Sequence, residues 1–537
     1  MRRDSFLSLV LLCAVIAGFL SVLPYVLHTF SPDFQGLTIM RDKDYANYDS
    51  RLQRVLVGYP EEASNAITPI GSGIEGLQVA GVEKVIGVLF GWIPVDAPTL
   101  SVIVTGVLTP LLFVLFYLLF TTLCFPKRWS LGMTLVLFSV MFHGLTRVVH
   151  PGWSFVPTIA ALLAFFLFFR KPSVTHLLIG IFLLGLMPYI YFWSWTWSWA
   201  VVGSFVLLSL FSGPDTNLLR RSPFFMVLLA LGILLLAVPF ALQTISLFGN
   251  AIYPEVSIRA SFLYQRFPES PVRSAFLLLQ LAALFSLFKS YRSDWTYIAA
   301  VSFLLGIVLA MHQNVLHERV LMFASHYYPQ LLISTTVCGA WVLLRRVWMP
   351  ARIAVAGIAA VFLVAGVSDY FFAHAFFIPK PEDFRDQHMA SAIALLKDQP
   401  RQTILTDADT GRIVTAWTDH GIVYTTHARF LFISDADLVE RYCVAEIANP
   451  QPEGNRVLDF EYNRILQSAV YQAYQQRLIT ETCIRVKADP LTYFRKYNVS
   501  LFLWNKEQRP AWTVDAARLG LTEAQEGEDW ILWKVTQ

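Results

Sequence analysis

The sequence predicts a membrane-embedded all-α helical bundle followed by a separate α/β domain, and three observations predict it. Of 537 residues, 55% are hydrophobic and only 15% charged, more apolar side chain than a soluble core absorbs. The apolar residues gather into runs that approach the roughly 20 residues needed to cross a bilayer. Finally, Lys and Arg fall in alternate gaps between these runs, as Arg2/Arg3, Lys127/Arg128, Arg170/Lys171, Arg220/Arg221, Lys289/Arg292 and Arg345/Arg346/Arg352, while the intervening gaps carry few or balanced charges. Short basic loops resist translocation, so the alternation predicts topology as well as membrane residence.

Counted this way, the N-terminus is expected inside. Eleven spans follow, near 5–30, 99–125, 129–146, 152–169, 174–194, 196–212, 223–248, 272–288, 295–312, 327–345 and 351–377. An odd count sends the C-terminus to the outer face, so the chain is expected to be a multi-pass plasma (inner) membrane protein. The first run exceeds a signal-peptide core in length and has no small-residue cleavage site after it, which favours an anchor. Runs 129–146 and 272–288 sit near the lower length limit. Between 174 and 212 the only punctuation is Tyr189 to Trp199, YIYFWSWTWSW, whose aromatics suit the headgroup layer and read as a tight outer-face hairpin.

Two segments break the membrane pattern. The outer loop, about 31–98, is long for a connector, and such loops tend to be functional or disordered. Helical periodicity argues against disorder. Tyr45, Tyr48, Leu52 and Val55 share one face of 44–57, opposite Asn47, Arg51 and Arg54, and Ile74, Leu77, Val85 and Leu89 recur at helical spacing over 74–90. These read as helices on the outer membrane surface, separated by Gly71, Ser72 and Gly73. The second segment, 379–537, is long enough for one small domain. Helices are expected at 383–398, 409–417, 435–446 and 457–477, and short apolar strands at Thr403 to Thr406, Ile422 to Thr425, Val499 to Trp504 and Trp530 to Val535. Their alternation predicts an α/β layer structure. The expected division is therefore a transmembrane domain, 1–378, that includes the loop 31–98, and a soluble extracytoplasmic domain, 379–537.

Cys13, Cys124 and Cys338 lie in or beside apolar runs, where a thiol packs as a small apolar group. Cys443 and Cys483 belong to the exported region, where an oxidising compartment permits a disulfide. The formal net charge of +3 is accounted for by the loop asymmetry, and no basic-aromatic platform for nucleic acid recurs. No phosphate-binding or dinucleotide glycine fingerprint is present, which disfavours cytoplasmic ATP hydrolysis. The spans carry few charges of the kind that mark ion pathways, which disfavours a proton-coupled transporter.

The chemistry concentrates in the first outer loop. Arg41-Asp42-Lys43-Asp44-Tyr45-Ala46-Asn47-Tyr48-Asp49-Ser50-Arg51 places three carboxylates within eight residues of one another. A carboxylate at the outer mouth of a membrane cavity can act as general base toward a hydroxyl, or hold a divalent cation that screens a phosphate leaving group. The same acids equally suit a solvated helix start, where Asp42 and Asp44 favour the N-terminal dipole. On the same face, 249–273 holds Arg259 and Arg266, and 312–326 holds His317, Arg319 and His326, with His143, Arg147 and His150 in another outer gap. Arginine suits phosphate through its planar fork, and histidine can share charge. The histidine spacing carries no metal signature.

A first span, a long outer loop with acids near its start, surface helices, many further spans and an exported tail together resemble the membrane glycosyltransferases of the GT-C fold. Asp44-Tyr45-Ala46-Asn47-Tyr48 is similar to the Asp-aromatic-Asn-Tyr neighbourhood in oligosaccharyltransferase catalytic subunits. Gln313-Asn314-Val315, Ser325-His326-Tyr327-Tyr328-Pro329, Lys496-Tyr497-Asn498-Val499 and Trp530-Ile531-Leu532-Trp533-Lys534 resemble recurrent features of bacterial multi-span proteins of this type. The resemblance implies a polyprenyl-phosphate-linked sugar donor, a glycan, lipid or protein acceptor, and a first-loop carboxylate as base or metal ligand, hence Asp44, then Asp42. Arg259, Arg266, His317, Arg319 and His326 are the expected substrate-binding residues, and a divalent cation is a possible cofactor. The chain departs from the pattern in lacking an acidic pair in the second outer gap and a Trp-Trp-Asp acceptor signature, which disfavours protein N-glycosylation. The alternatives are a non-catalytic membrane scaffold, a lipid-linked-glycan transporter, and a sensor whose exported tail binds a ligand.

Overall fold

A computed structural model describes residues 3–40, 43–62, 67, 76, 80–145, 148, 150–212, 223–259, 263–264, 267–268, 270–317, 319–320, 324–345, 347–373, 384–450 and 469–536. The chain is mostly helical with a small C-terminal sheet, and it divides into two units.

The first unit comprises 1–23, 105–246 and 263–378. Each of the apolar runs expected to span the membrane coincides with a helix, from Arg3–His28 and Ala97–Thr122 to Met349–Ala373. Among the described residues three helices, Phe6–His28, Ala97–Thr122 and Met226–Phe248, are long and apolar enough to cross a membrane. Shorter apolar helices such as Trp295–Met311 and Tyr328–Leu344 are enclosed by their neighbours. Small residues bring the helices together. A Cβ added to Gly306 would lie 2.6 Å from Val201 Cγ2, and one added to Gly18 would lie 2.5 Å from Pro110 Cγ, so glycine at these positions permits close backbone approach in the manner of membrane helix pairs.

The aromatic stretch differs from expectation. The chain turns at Met187–Tyr189 and Ile190, and Phe192–Leu210 is already one helix. Trp197 is fully buried and donates through Nε1 to Ser334 Oγ at 3.2 Å, while Trp199 Nε1 donates to the Leu184 carbonyl at 2.8 Å. Both indoles have protein partners here, so helix packing rather than the interface accounts for them.

The second unit comprises 24–104, 247–262 and 379–537. Its helices are α1 (Lys43–Leu56), α2 (Gly81–Phe90), α3 (Tyr253–Arg259), α4 (Ala390–Lys397), α5 (Ala408–Trp417), α6 (Asp435–Ala445), α7 (Ala469–Ala488) and α8 (Pro490–Lys496). Its strands are β1 (Thr403–Leu405), β2 (Gly421–Ile422), β3 (Val499–Asn505), β4 (Leu521–Glu526) and β5 (Trp530–Val535). They form one mixed sheet in the order β2-β1-β3-β5-β4, with β1 parallel to both β2 and β3, and β5 antiparallel to β3 and β4. Asp407 caps α5, Ser434 caps α6 and Asp489 caps α8, each accepting from a first-turn amide. Cys443 on α6 and Cys483 on α7 are joined by a disulfide.

The first outer loop, expected with the membrane part, packs instead with the C-terminal residues. Leu37 and Ile67 lie in the same core as Ile404, Val414 and Phe502, because this domain's sheet and helices offer the loop an apolar surface to bury. Helix α1 also corrects its expected amphipathicity. Arg54 is 1% exposed and Asn47 is buried, so the polar side is enclosed by protein. Helix α2 begins at Gly81, with Ile74 and Leu77 outside the described residues, and exposes Val85, Val88 and Leu89. The expected helix 457–477 extends in its described part over Ala469–Ala488, held at its far end by Cys483.

Candidate functional site

Helix α1 carries the acidic loop start, and its inner face is fixed by polar contacts to α5 and the turn beyond it. Ser50 Oγ lies 2.7 Å from Thr415 Oγ1, and the Arg54 guanidinium donates to the carbonyls of Asp419 and His420. Asp49, on another face, accepts from Ser101 Oγ at 2.6 Å and is 2% exposed. Burial pushes the Asp49 carboxyl up to about 8, against the lowering effect of the Ser101 hydrogen bond; the negative charges of Asp96 and Glu83 add to the rise.

The N-terminal turn of α1 meets a polar crevice of about 40 Å³ lined by Met40, Ala46, Asp409, Thr410, Arg412 and Asn505, among others. The crevice lies past the carboxyl ends of β1 and β3. The chain leaves β1 through α5 toward β2 on one side while β3 lies on the other, a switch in strand order of the kind that opens ligand crevices in α/β sheets. Its walls are tied together. Asn505 Nδ2 donates to Thr410 Oγ1 at 3.2 Å, Gln508 Nε2 donates to Asp409 Oδ2 at 3.2 Å, and Arg412 pairs with Asp409.

Beside it is a concentration of positive charge. His427 is held well below the ordinary histidine range, first by burial and then by the guanidiniums of Arg429, Arg51 and Arg412. Three arginines from α1, α5 and the Thr426–Phe430 turn therefore act on one imidazole, which stays neutral at pH 7. The three guanidiniums give this part of the unit a positive field, which Arg412 shares with the Asp409 carboxylate it pairs with.

The structure redistributes the residues expected from sequence. Arg259, expected as a phosphate ligand, is fully buried. Its Nη1 pairs with Asp435 Oδ1 at 2.6 Å, its Nε donates to the Arg429 carbonyl at 3.2 Å, and its Nη2 donates to the carbonyls of Leu431 and Ile433 at 3.0 and 2.8 Å. All three guanidinium nitrogens are engaged, so Arg259 clamps the segment that bears Arg429 rather than receiving a ligand. Asp44 lies in the first turn of α1, with its side chain outside the described residues, and Asp42 and Arg266 lie outside them altogether. His317 closes a short helix and Arg319 pairs through its backbone with Tyr264, both in the first unit, and their side chains are likewise not described. His326, also in the first unit, stacks on Trp193 with ring centroids 4.5 Å apart. Among the described residues no group of three or more His, Cys, Asp or Glu is arranged to hold a metal ion.

Arg412, His427 and Arg429 were not singled out from the sequence. They stand in ordinary helix and turn positions, and the one available signal was Arg51, which lies in the acidic loop itself. No protein-family model matches the chain, and a search of curated proteins finds no similar sequence.

The buried Asp49 generates a pH dependence. Its folded pKa of about 8 lies above the ordinary 3.8, so the folded state binds a proton that the unfolded state releases, and stability falls as pH rises from about 4 to about 8. Asp49→Asn keeps an acceptor for Ser101 and removes the ionisation. Thermal unfolding across this range should show the wild type losing about 1.4 kcal/mol per pH unit relative to the variant; parallel pH profiles would exclude a raised Asp49.

Proposed function

We propose that the chain is a glycosyltransferase that takes a sugar from a polyprenyl-phosphate carrier at the outer face of the membrane and passes it to a glycan, lipid or protein acceptor. The observation that carries this reading is that the first-loop helix bearing Asp44 is docked in the same unit as the cluster of Arg51, Arg412 and Arg429 around His427. An acid beside phosphate-binding charge is what transfer from a lipid-linked phosphosugar requires. In this reading Asp44, assisted by Asp42, acts as base or holds a divalent cation. The arginine cluster takes the donor phosphate in place of Arg259. Arg266, His317, Arg319 and His326 belong to the first unit and are assigned no role in this site.

The topology that belongs to this reading has eleven spans, an inner N-terminus and an extracytoplasmic C-terminal domain. It is supported by the alternating basic gaps, by the Cys443–Cys483 disulfide, which suits an oxidising compartment, and by the exposed apolar face of α2, which suits a membrane surface. Reporter fusions at Arg128, Arg221 and Arg346 should read as cytoplasmic and a fusion after Gln537 as exterior. A cytoplasmic reading after Gln537 would overturn the topology and the donor-side placement together.

The catalytic assignment is tested on purified protein with a polyprenyl-phosphate-linked sugar. Asp44→Asn should lower turnover by about 100-fold or more while folding persists. Arg412→Ala should weaken donor binding, and Arg412→Lys should restore it incompletely because Lys lacks the planar fork. Wild-type turnover in the Asp42→Asn/Asp44→Asn double variant would remove the first-loop acids from the mechanism.

A further inference from the structure

The first unit carries an apolar groove of about 470 Å³ between the helices Lys127–Leu145, Tyr328–Leu344 and Met349–Ala373. Gly132 and Val136 line it from the first helix, Gly339 and Leu343 from the second, and Ala356 and Leu363 from the third. From Arg128 to Val136 the first helix rises about 12 Å, close to the depth of one leaflet in a hydrocarbon core roughly 30 Å thick. Val136 and Leu343 are exposed, so the groove opens sideways onto the apolar outside of the bundle.

Two glycines shape it differently. A Cβ added to Gly339 would lie 2.9 Å from Ala359 Cβ, so Gly339 lets the second and third helices close the back wall. A Cβ added to Gly132 would meet nothing within 4 Å. Glycine weakens a helix, and no packing of protein atoms accounts for it at 132. A hydrocarbon chain lying in the groove would.

One end of the groove is charged. Arg128 lines it there beside Lys127 and Trp129, all three exposed in the first turn of their helix, whose free amides add to the positive potential. An indole next to basic residues suits the headgroup layer. Other arginines near this end are engaged, Arg345 Nη2 lying 3.0 Å from Asp294 Oδ2 and Arg352 Nη2 donating to the Leu343 carbonyl at 3.0 Å. Lys127, Arg128 and the Trp129 indole make no hydrogen bond or ion pair among the described residues, and the residues lining the groove include no carboxylate.

An apolar trough that ends at an unpaired arginine in the headgroup layer matches an amphiphile, with a hydrocarbon chain along the trough and a phosphate on the planar guanidinium fork. The ammonium of a zwitterionic headgroup would meet only like charge beside Lys127 and Arg128. We infer that this groove holds an anionic glycerophospholipid from the leaflet whose headgroups lie level with Arg128. The arginines of the proposed donor site belong to the second unit, so the inference does not rest on the transferase reading.

Native mass spectrometry of the full-length protein in detergent, titrated with dioleoyl phosphatidylglycerol or dioleoyl phosphatidylcholine, tests it. The wild type should hold one phosphatidylglycerol about tenfold or more tightly than phosphatidylcholine. Arg128→Gln should bring phosphatidylglycerol down to the phosphatidylcholine level, and Arg128→Lys should keep part of the preference. Gly132→Phe, whose ring enters open space in the groove, should abolish saturable binding of that lipid. Equal affinity for the two lipids in the wild type, or wild-type affinity for phosphatidylglycerol in Arg128→Gln or Gly132→Phe, overturns the inference. So does a dimer that Gly132→Phe dissociates, which would assign the groove to a second copy of the chain.

Discussion

The arrangement of the second unit depends on one buried polar contact, the Arg54 guanidinium on the carbonyls of Asp419 and His420. A buried charge of this kind is tolerated only when its hydrogen bonds are met, and removing its partners leaves several kcal/mol of uncompensated desolvation. Here the partners come from a segment more than 360 residues away in sequence. The contact therefore selects one docking of α1 on α5, and the Ser50–Thr415 pair fixes its rotation. Everything assigned to the first loop inherits that geometry: the first turn of α1 reaches the crevice through Ala46, and the charge of Arg51 acts on His427.

A second buried arginine does parallel work. Arg259 holds the carbonyls of Arg429, Leu431 and Ile433 and pairs with Asp435. Its strength lies in fixing the turn that presents Arg429 and His427, so a residue expected to touch phosphate instead positions residues that do in the proposed mechanism. Both clamps join segments distant in sequence, the first placing α1 on α5 and the second fixing the turn that bears His427 and Arg429. Burial lowers the proton affinity of His427 first, and the nearby guanidiniums lower it further.

How much of this was legible in the sequence follows from the range of the interactions. The apolar runs read correctly as helices because hydrophobic length is a local property, and Val499 to Trp504 and Trp530 to Val535 read as strands because their β-branched and aromatic residues are contiguous. Strand β4 was not visible. LTEAQE is an edge strand with one buried residue, and its ladder is broken between Thr522 and Gln525, where Glu523 takes a positive φ of 48°. Arg54 reads as part of a solvated helix face and Arg259 as a phosphate ligand because an arginine's charge is visible in the sequence, whereas only the fold reveals the distant carbonyls that make its burial favourable. The aromatic run after Tyr189 differs for a similar reason, because tryptophan suits a membrane interface and a packed helix core equally well, and only the partners Ser334 and the Leu184 carbonyl decide between them. The acids of the loop were visible as a cluster, but the arginines that give them a chemical context converge only in three dimensions.

The docking of the first-loop helix on the C-terminal domain can be measured directly in native membranes. Ser50→Cys and Thr415→Cys are introduced into a chain whose Cys13, Cys124 and Cys338 have been replaced by alanine, with a protease site inserted near Arg221. With the two hydroxyl oxygens 2.7 Å apart, mild oxidation should join the cysteines, and after cleavage the two fragments should migrate together on a non-reducing gel and separate on reduction. Fragments that separate without reductant, from protein whose oxidation has gone to completion, would contradict the docking and with it the site built upon it.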